Sequence, residues 1–142
     1  MKTLRIVLGI IFCIALLGCA DYGIYTQIGA INFGEIEITK APEKSEDAVR
    51  VMSFNVRCAN DGEQTITNRS KVGLAVLEEY LPDSFGVQEC APRWKRIFAY
   101  NLGDRYASVG KPRDKNGPFT EYSSIYYLKD KYSVIDSGTF WL

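Results

Sequence analysis

Arg50-Val51-Met52-Ser53-Phe54-Asn55-Val56-Arg57 and Pro82-Asp83-Ser84-Phe85-Gly86-Val87-Gln88-Glu89 decide the fold of this chain. Each is a short apolar run that delivers polar groups at its end: Asn55 and Arg57 in the first, Gln88 and Glu89 in the second. Between them, Val72, Ala75, Val76, Leu77 and Tyr80 recur at helical spacing. A strand, a helix and a strand in this order set two strand ends side by side, where open α/β sheets collect ligand groups. On this reading Asn55 and Glu89 meet at one rim and hold a hard divalent cation. Plainer readings stand beside it. Asparagine is a common turn former at a strand end, and a strand-end glutamate either sits in water or joins an ion pair.

Working outward, the folded domain starts near Ala48. Val49–Cys58 is apolar on both faces in its middle, the pattern of a central strand covered on both sides. Asn68 is placed to cap the following helix, which runs to about Tyr80 and stops before Pro82. Pro92 opens a second helix reaching about Asn101, with Trp94, Ile97 and Phe98 as its packing face. Tyr106–Val109 reads as a short strand. In the loop from Gly110 to Gly117, Lys111, Arg113 and Lys115 either face a phosphate or simply sit in water. Glu121–Leu128 and Tyr132–Trp141 read as a hairpin turning at Lys129-Asp130-Lys131. The chain stops at Phe140-Trp141-Leu142, inside an apolar strand, as at a cut edge.

The 142 residues suit one domain, and 46% hydrophobic with 24% charged residues is enough to bury a core. The 17 basic and 17 acidic residues balance, which argues against a general basic field for nucleic acid. The chain has no histidine, so any histidine-dependent proton transfer must draw on a residue from outside it.

Lys2 and Arg5 precede a run from Ile6 to Ala20 made only of apolar residues and glycine. That run is shorter than the roughly 20 residues of a comfortable membrane span and fits an export signal. Leu16-Leu17-Gly18-Cys19 resembles the lipobox of bacterial lipoproteins, which makes Cys19 the expected lipidation site; an uncleaved anchor and simple secretion are the alternatives. All three place the remainder outside the cytoplasm. Residues 21–47 read as a tether, with Lys40 to Asp47 a solvated linker and Gly34–Thr39 a possible short edge strand. Cys58 and Cys90 each follow a site strand. They either pair as a disulfide, which export permits, or stay free and buried.

Four segments then match one family in order. Met52 to Arg57, Pro82 to Glu89, Gly117 to Tyr127 with Glu121-Tyr122-Ser123, and Asp136 to Trp141 resemble the endonuclease/exonuclease/phosphatase superfamily over residues 48–142. The resemblance implies a four-layer α/β sandwich: two packed mixed sheets flanked by helices. It implies Mg²⁺-dependent hydrolysis of phosphoesters, with Mn²⁺ as a substitute, on nucleic acid, a phospholipid headgroup or a small phosphate ester. Glu89 resembles the family's principal metal ligand, Asn55 the asparagine beside metal and scissile phosphate, and Glu121 the acid that orients a catalytic histidine. Arg57, Lys111 and Arg113 are candidates for the phosphate. The family's Gly-Asp-x-Asn motif, late Asp-His pair and mid-chain histidine are missing. The expectation is therefore the N-terminal half of such a domain, inactive alone and completed in cis or in trans. An exported non-catalytic binding module is the competing expectation.

Overall fold

The structure is a computed structural model and describes residues 37–59, 65–114 and 120–140. The export segment, Cys19, the tether up to residue 36, Lys115 and Trp141 lie outside the described residues. Among the described residues no helix is long and apolar enough to cross a membrane.

Strand β1 spans Val51–Asn55, helix α1 Ile66–Tyr80 and strand β2 Ser84–Gln88. β1 and β2 pair in parallel, with Val51 opposite Ser84 and Asn55 opposite Gln88. Two parallel strands cannot be joined by a tight turn, so the chain between them crosses over through a helix. α1 starts at Thr65, whose side chain accepts from the Asn68 N–H at 3.1 Å. The cap is thus three residues earlier than the sequence suggests, and Asn68 is the donor rather than the acceptor. The helix ends at Leu81 in a left-handed conformation (φ 39), since the residue before Pro82 is disfavoured in the right-handed helical region.

Helix α2, Pro92–Leu102, begins with proline at its first turn, where a missing N–H costs nothing. Strand β3 spans Tyr106–Val109 and strand β4 Ile125–Leu128. The sheet order is β1-β2-β4-β3, with β4 antiparallel to both neighbours.

That order overturns two expectations. Among the described residues β1 is an edge strand, not a central one, and Val51 on its outward face is 72% exposed. The expected hairpin partner of β4, residues 132–140, forms no strand. Both edges of β4 are already occupied, by β2 and by β3, so no hydrogen-bonding edge is left for a third strand. Residues 37–39 of the possible edge strand are likewise not in a strand.

The core lies on one face of the sheet. Phe85, Val87, Tyr126 and Tyr106 point to that face and are buried under α2, whose Trp94, Ile97 and Phe98 are at most 1% exposed. Phe85 stacks on Tyr126 at 4.8 Å between centroids and meets Phe98 edge-on at 6.0 Å. Such aromatic pairs add about 0.5–1.5 kcal/mol each beyond the burial itself. α1 approaches through Gly73, where a Cβ would meet the Phe54 ring at 3.3 Å. The opposite face, carrying Val51, Ser53, Gly86 and Ile125, bears no second layer among the described residues.

The linker read as solvated is exposed but pinned. Ala41 N–H donates to Glu79 Oε1 at 2.9 Å, Lys44 forms an ion pair with Asp83, and the Arg50 guanidinium reaches the carbonyls of Pro42 and Tyr80. These contacts sit at the start of β2, the end of the sheet away from Asn55 and Gln88.

Candidate active site

The parallel register brings the ends of β1 and β2 to one rim. Asn55 ends β1, and Glu89 follows β2 directly. Both strands leave the sheet through left-handed backbone: Arg57 has φ 54 and Glu89 φ 56. Neither is glycine, so each carries a local conformational cost of the order of 1–2 kcal/mol. The surrounding hydrogen bonds hold them there.

Asn55 Nδ2 donates to Glu89 Oε1 at 2.9 Å, and the Cys58 N–H donates to Glu89 Oε2 at 3.1 Å. The Arg57 N–H donates to Asn55 Oδ1 at 2.9 Å. Because a backbone N–H can only donate, that last bond fixes which end of the Asn55 amide is oxygen. Asn55 therefore meets Glu89 as a donor, with its oxygen already engaged. These two donors, Asn55 first, hold the Glu89 carboxyl below its ordinary value, with the charge of Arg57 assisting.

Glu121 comes to the same rim. The backbone of Tyr122 bridges Cys90 in both directions, which draws the segment before β4 across the end of β2. The Glu121 carboxylate accepts from the Cys58 thiol and lies 3.5 Å from Arg113 Nη1. Glu121 first, then partial burial and Glu89, push the Cys58 thiol up to about 11, so it stays protonated at neutral pH. The rim thus gathers Asn55, Arg57, Glu89, Glu121 and Arg113. Lys111 lies apart, in a cleft of about 430 Å³ on the open sheet face with Val109, Ile125 and Phe140.

Cys58 and Cys90 are both free. Cys90 is buried, and burial pushes its thiol up to about 12, whereas Cys58 is half-exposed at the rim. Among the described residues no group of three or more His, Cys, Asp or Glu is arranged to hold a metal ion by itself. The donor chemistry nonetheless fits a hard cation. Glu89 is a half-exposed, ionised carboxylate steadied by two N–H groups, with oxygen lone pairs left over. Mg²⁺ asks for one or two carboxylates and keeps its waters.

Two contributors escape a reading of the sequence. Cys58 donates to Glu89 through its backbone, which no residue type signals. Arg69, on α1, donates to the carbonyls of Arg57 and Ala59 at 2.7 and 2.6 Å. A lone arginine on a helix carries no mark of that long reach.

A mixed sheet with a crossover helix, and a carboxylate and a carboxamide at its parallel strand ends, places the chain in the α/β class. The particular likeness is to endonuclease/exonuclease/phosphatase proteins, and the resemblance read from the motifs holds in three dimensions. A protein of that family from Bacteroides vulgatus is 32% identical, with a TM-score of 0.61, over 66% of this chain and 36% of its own. A mannosyl-6-phosphatase from Bacteroides thetaiotaomicron is 27% identical, with a TM-score of 0.58, over 64% and 35%. Another family protein from Bacteroides thetaiotaomicron is 28% identical, with a TM-score of 0.57, over 63% and 33%. The chain spans about a third of the length of these solved structures. No family model matches the sequence, and no curated protein does.

Proposed function

We propose that this chain carries the carboxylate side of a Mg²⁺-dependent phosphoester hydrolase site, within what becomes a four-layer sandwich when a second sheet covers the open face. The observation that carries this reading is Glu89, an ionised, half-exposed carboxylate gripped by Asn55 and by the Cys58 N–H at the meeting of two parallel strands. Glu89 holds Mg²⁺, with Mn²⁺ as a substitute, and Asn55 steadies the carboxylate on the substrate side. Bound there, Mg²⁺ supplies Lewis-acid stabilisation of charge on a phosphoryl or leaving oxygen. Arg57, exposed beside Glu89, draws the phosphate to the rim, and Arg113 adds positive charge next to Glu121. Glu121 is the acid that orients a histidine, which must come from outside these 142 residues because the chain has none.

The chain by itself is therefore inactive and needs the remaining groups in cis or in trans. Small phosphate esters are the favoured substrates. The balanced charge disfavours non-specific nucleic acid, and one similar structure is a mannosyl-6-phosphatase. Phospholipid headgroups are a further class to assay. The N-terminal sequence supports export from the cytoplasm, with attachment to the membrane through Cys19 or an uncleaved segment, or release as a secreted chain, as the alternatives.

The test is turnover of mannose 6-phosphate, p-nitrophenyl phosphate and bis-p-nitrophenyl phosphate with Mg²⁺, Mn²⁺ or chelator. The chain alone gives none. Fused to the histidine-bearing remainder of a similar phosphatase, it gives Mg²⁺-dependent turnover that Glu89→Gln abolishes. Turnover by the fusion that is indifferent to Glu89→Gln contradicts the assignment.

The competing function is a non-catalytic exported binding module. It is favoured by the absence of histidine together with the apolar cleft of about 390 Å³ along the open sheet face, lined by Val49, Ile125, Tyr127, Tyr132 and Val134.

A further inference from the structure

We propose that Arg69 is a positioning residue that aims the Cys58 N–H at the Glu89 carboxylate. The Arg57 carbonyl and the Cys58 N–H belong to one peptide group. That group is planar and trans, so its carbonyl and its N–H point in opposite directions. Arg69 Nη2 donates to the Arg57 carbonyl at 2.7 Å, and Trp94 Nε1 donates to the same oxygen at 3.3 Å. Gripping the carbonyl from the helix side turns the N–H to the rim, where it meets Glu89 Oε2 at 3.1 Å. The same Nη2 takes the Ala59 carbonyl at 2.6 Å, so both ends of the turn through Cys58 are tied to α1.

Charge adds to geometry. A guanidinium on the carbonyl polarises the peptide group and strengthens its N–H as a donor, as in any hydrogen-bonded chain. Part of the positive charge of Arg69 thereby reaches Glu89 without contact between the two side chains. The arrangement has a cost: Arg69 Nε and Nη1 are buried with no hydrogen-bond partner among the described residues. Unmet buried donors are expensive, more so on a charged group. The unmet donors indicate a side chain held where the turn needs it rather than where its own hydrogen bonding is best. The turn does need holding, because Arg57 sits in left-handed backbone at φ 54.

The test compares the full chain with Arg69→Met and Arg69→Lys by native-state amide hydrogen exchange in NMR. In Arg69→Met the Cys58 amide exchanges faster by about tenfold or more, while Val87 and Leu128 in the β2–β4 ladder keep their protection. Arg69→Lys retains the charge but loses the rigid planar fork, and gives an intermediate rate. Should Arg69→Met fail to fold, Arg69→Lys carries the comparison. An unchanged Cys58 rate overturns the proposal. Equal acceleration at Cys58, Val87 and Leu128 also overturns it, because Arg69 would then be serving the fold as a whole. This arm is independent of the metal reading. A second arm rests on that reading: the Mg²⁺ dissociation constant, read from the Glu89 amide shift, rises about tenfold in Arg69→Met. A wild-type chain with no Mg²⁺ response refutes the metal reading and leaves the exchange arm to decide on Arg69.

Discussion

Asn55 Nδ2 and Glu89 Oε1 lie 2.9 Å apart, bound across the end of a parallel strand pair that sets Asn55 against Gln88. The bond favours the ionised form of Glu89 and is the first cause of its lowered pKa. In Asn55→Ala the Glu89 carboxyl therefore titrates at higher pH, closer to an ordinary glutamate. Side-chain carbon NMR across pH 2–7 reads it, and a titration unmoved by the substitution contradicts the role given to Asn55.

Cys58 is a protonated thiol between two carboxylates, with Glu121 the larger influence. Alkylation at pH 8 is accordingly slow. Glu121→Gln removes the charge with the larger effect and brings the thiol down from about 11 toward its ordinary 9.0, so the rate at fixed pH rises as the thiolate fraction grows. Alkylation rate against pH checks this. Cys90, buried and raised to about 12, reacts only when the chain opens.

Asp83 is the hub at the other end of the sheet. Its carboxylate is 1% exposed and receives Lys44 Nζ and the Arg50 N–H at 2.8 Å, with Lys131 and Tyr132 at 3.3 Å. Lys44 first and then Arg50 hold its pKa well below the carboxylate range. A folded pKa below the unfolded one gives stability that is present in full above about pH 4 and is lost as pH falls toward the native value. Asp83→Asn costs about 2–3 kcal/mol at neutral pH by leaving buried donors poorly met, and it flattens the acid limb. Urea midpoints between pH 2 and 7 test both effects.

How much of this the sequence shows depends on the range of each contact. β1, α1, β2 and α2 are legible because period and punctuation are local: the Val72–Leu77 stripe, Pro82 before β2, Pro92 at a helix start. The meeting of Asn55 with Glu89 is legible too, because a crossover helix forces the two strands parallel. The edge position of β1 and the fate of residues 132–140 are not, because both depend on the order of strands across the whole sheet. Aromatic and β-branched residues in that segment have strand propensity, but the edges of β4, the expected partner, are both taken. Thr65 outcompetes Asn68 as the cap by position alone. Arg69 and the Cys58 N–H are silent in sequence, because what matters is the direction of one peptide group.

Gly110 is the glycine that the loop before β4 cannot exchange. Its φ is 124, and a Cβ there would lie 3.0 Å from the Ser124 Cα and 3.1 Å from the Ser123 carbonyl oxygen. Both neighbours are backbone and cannot swing aside. Gly110→Ala costs about 2 kcal/mol or more, from strain and contact together. A urea midpoint unmoved by the substitution contradicts this geometry.

The central claim is that Glu89, as Asn55 and the Cys58 N–H hold it, binds a hard divalent cation. Mg²⁺ titration of the isotope-labelled full chain, followed through the Glu89 and Cys58 amides, tests it most directly. The account predicts saturable shifts at both residues that are absent in Glu89→Gln, with Asp83 unaffected. Shifts that persist in Glu89→Gln, or none in the wild-type chain, would contradict it.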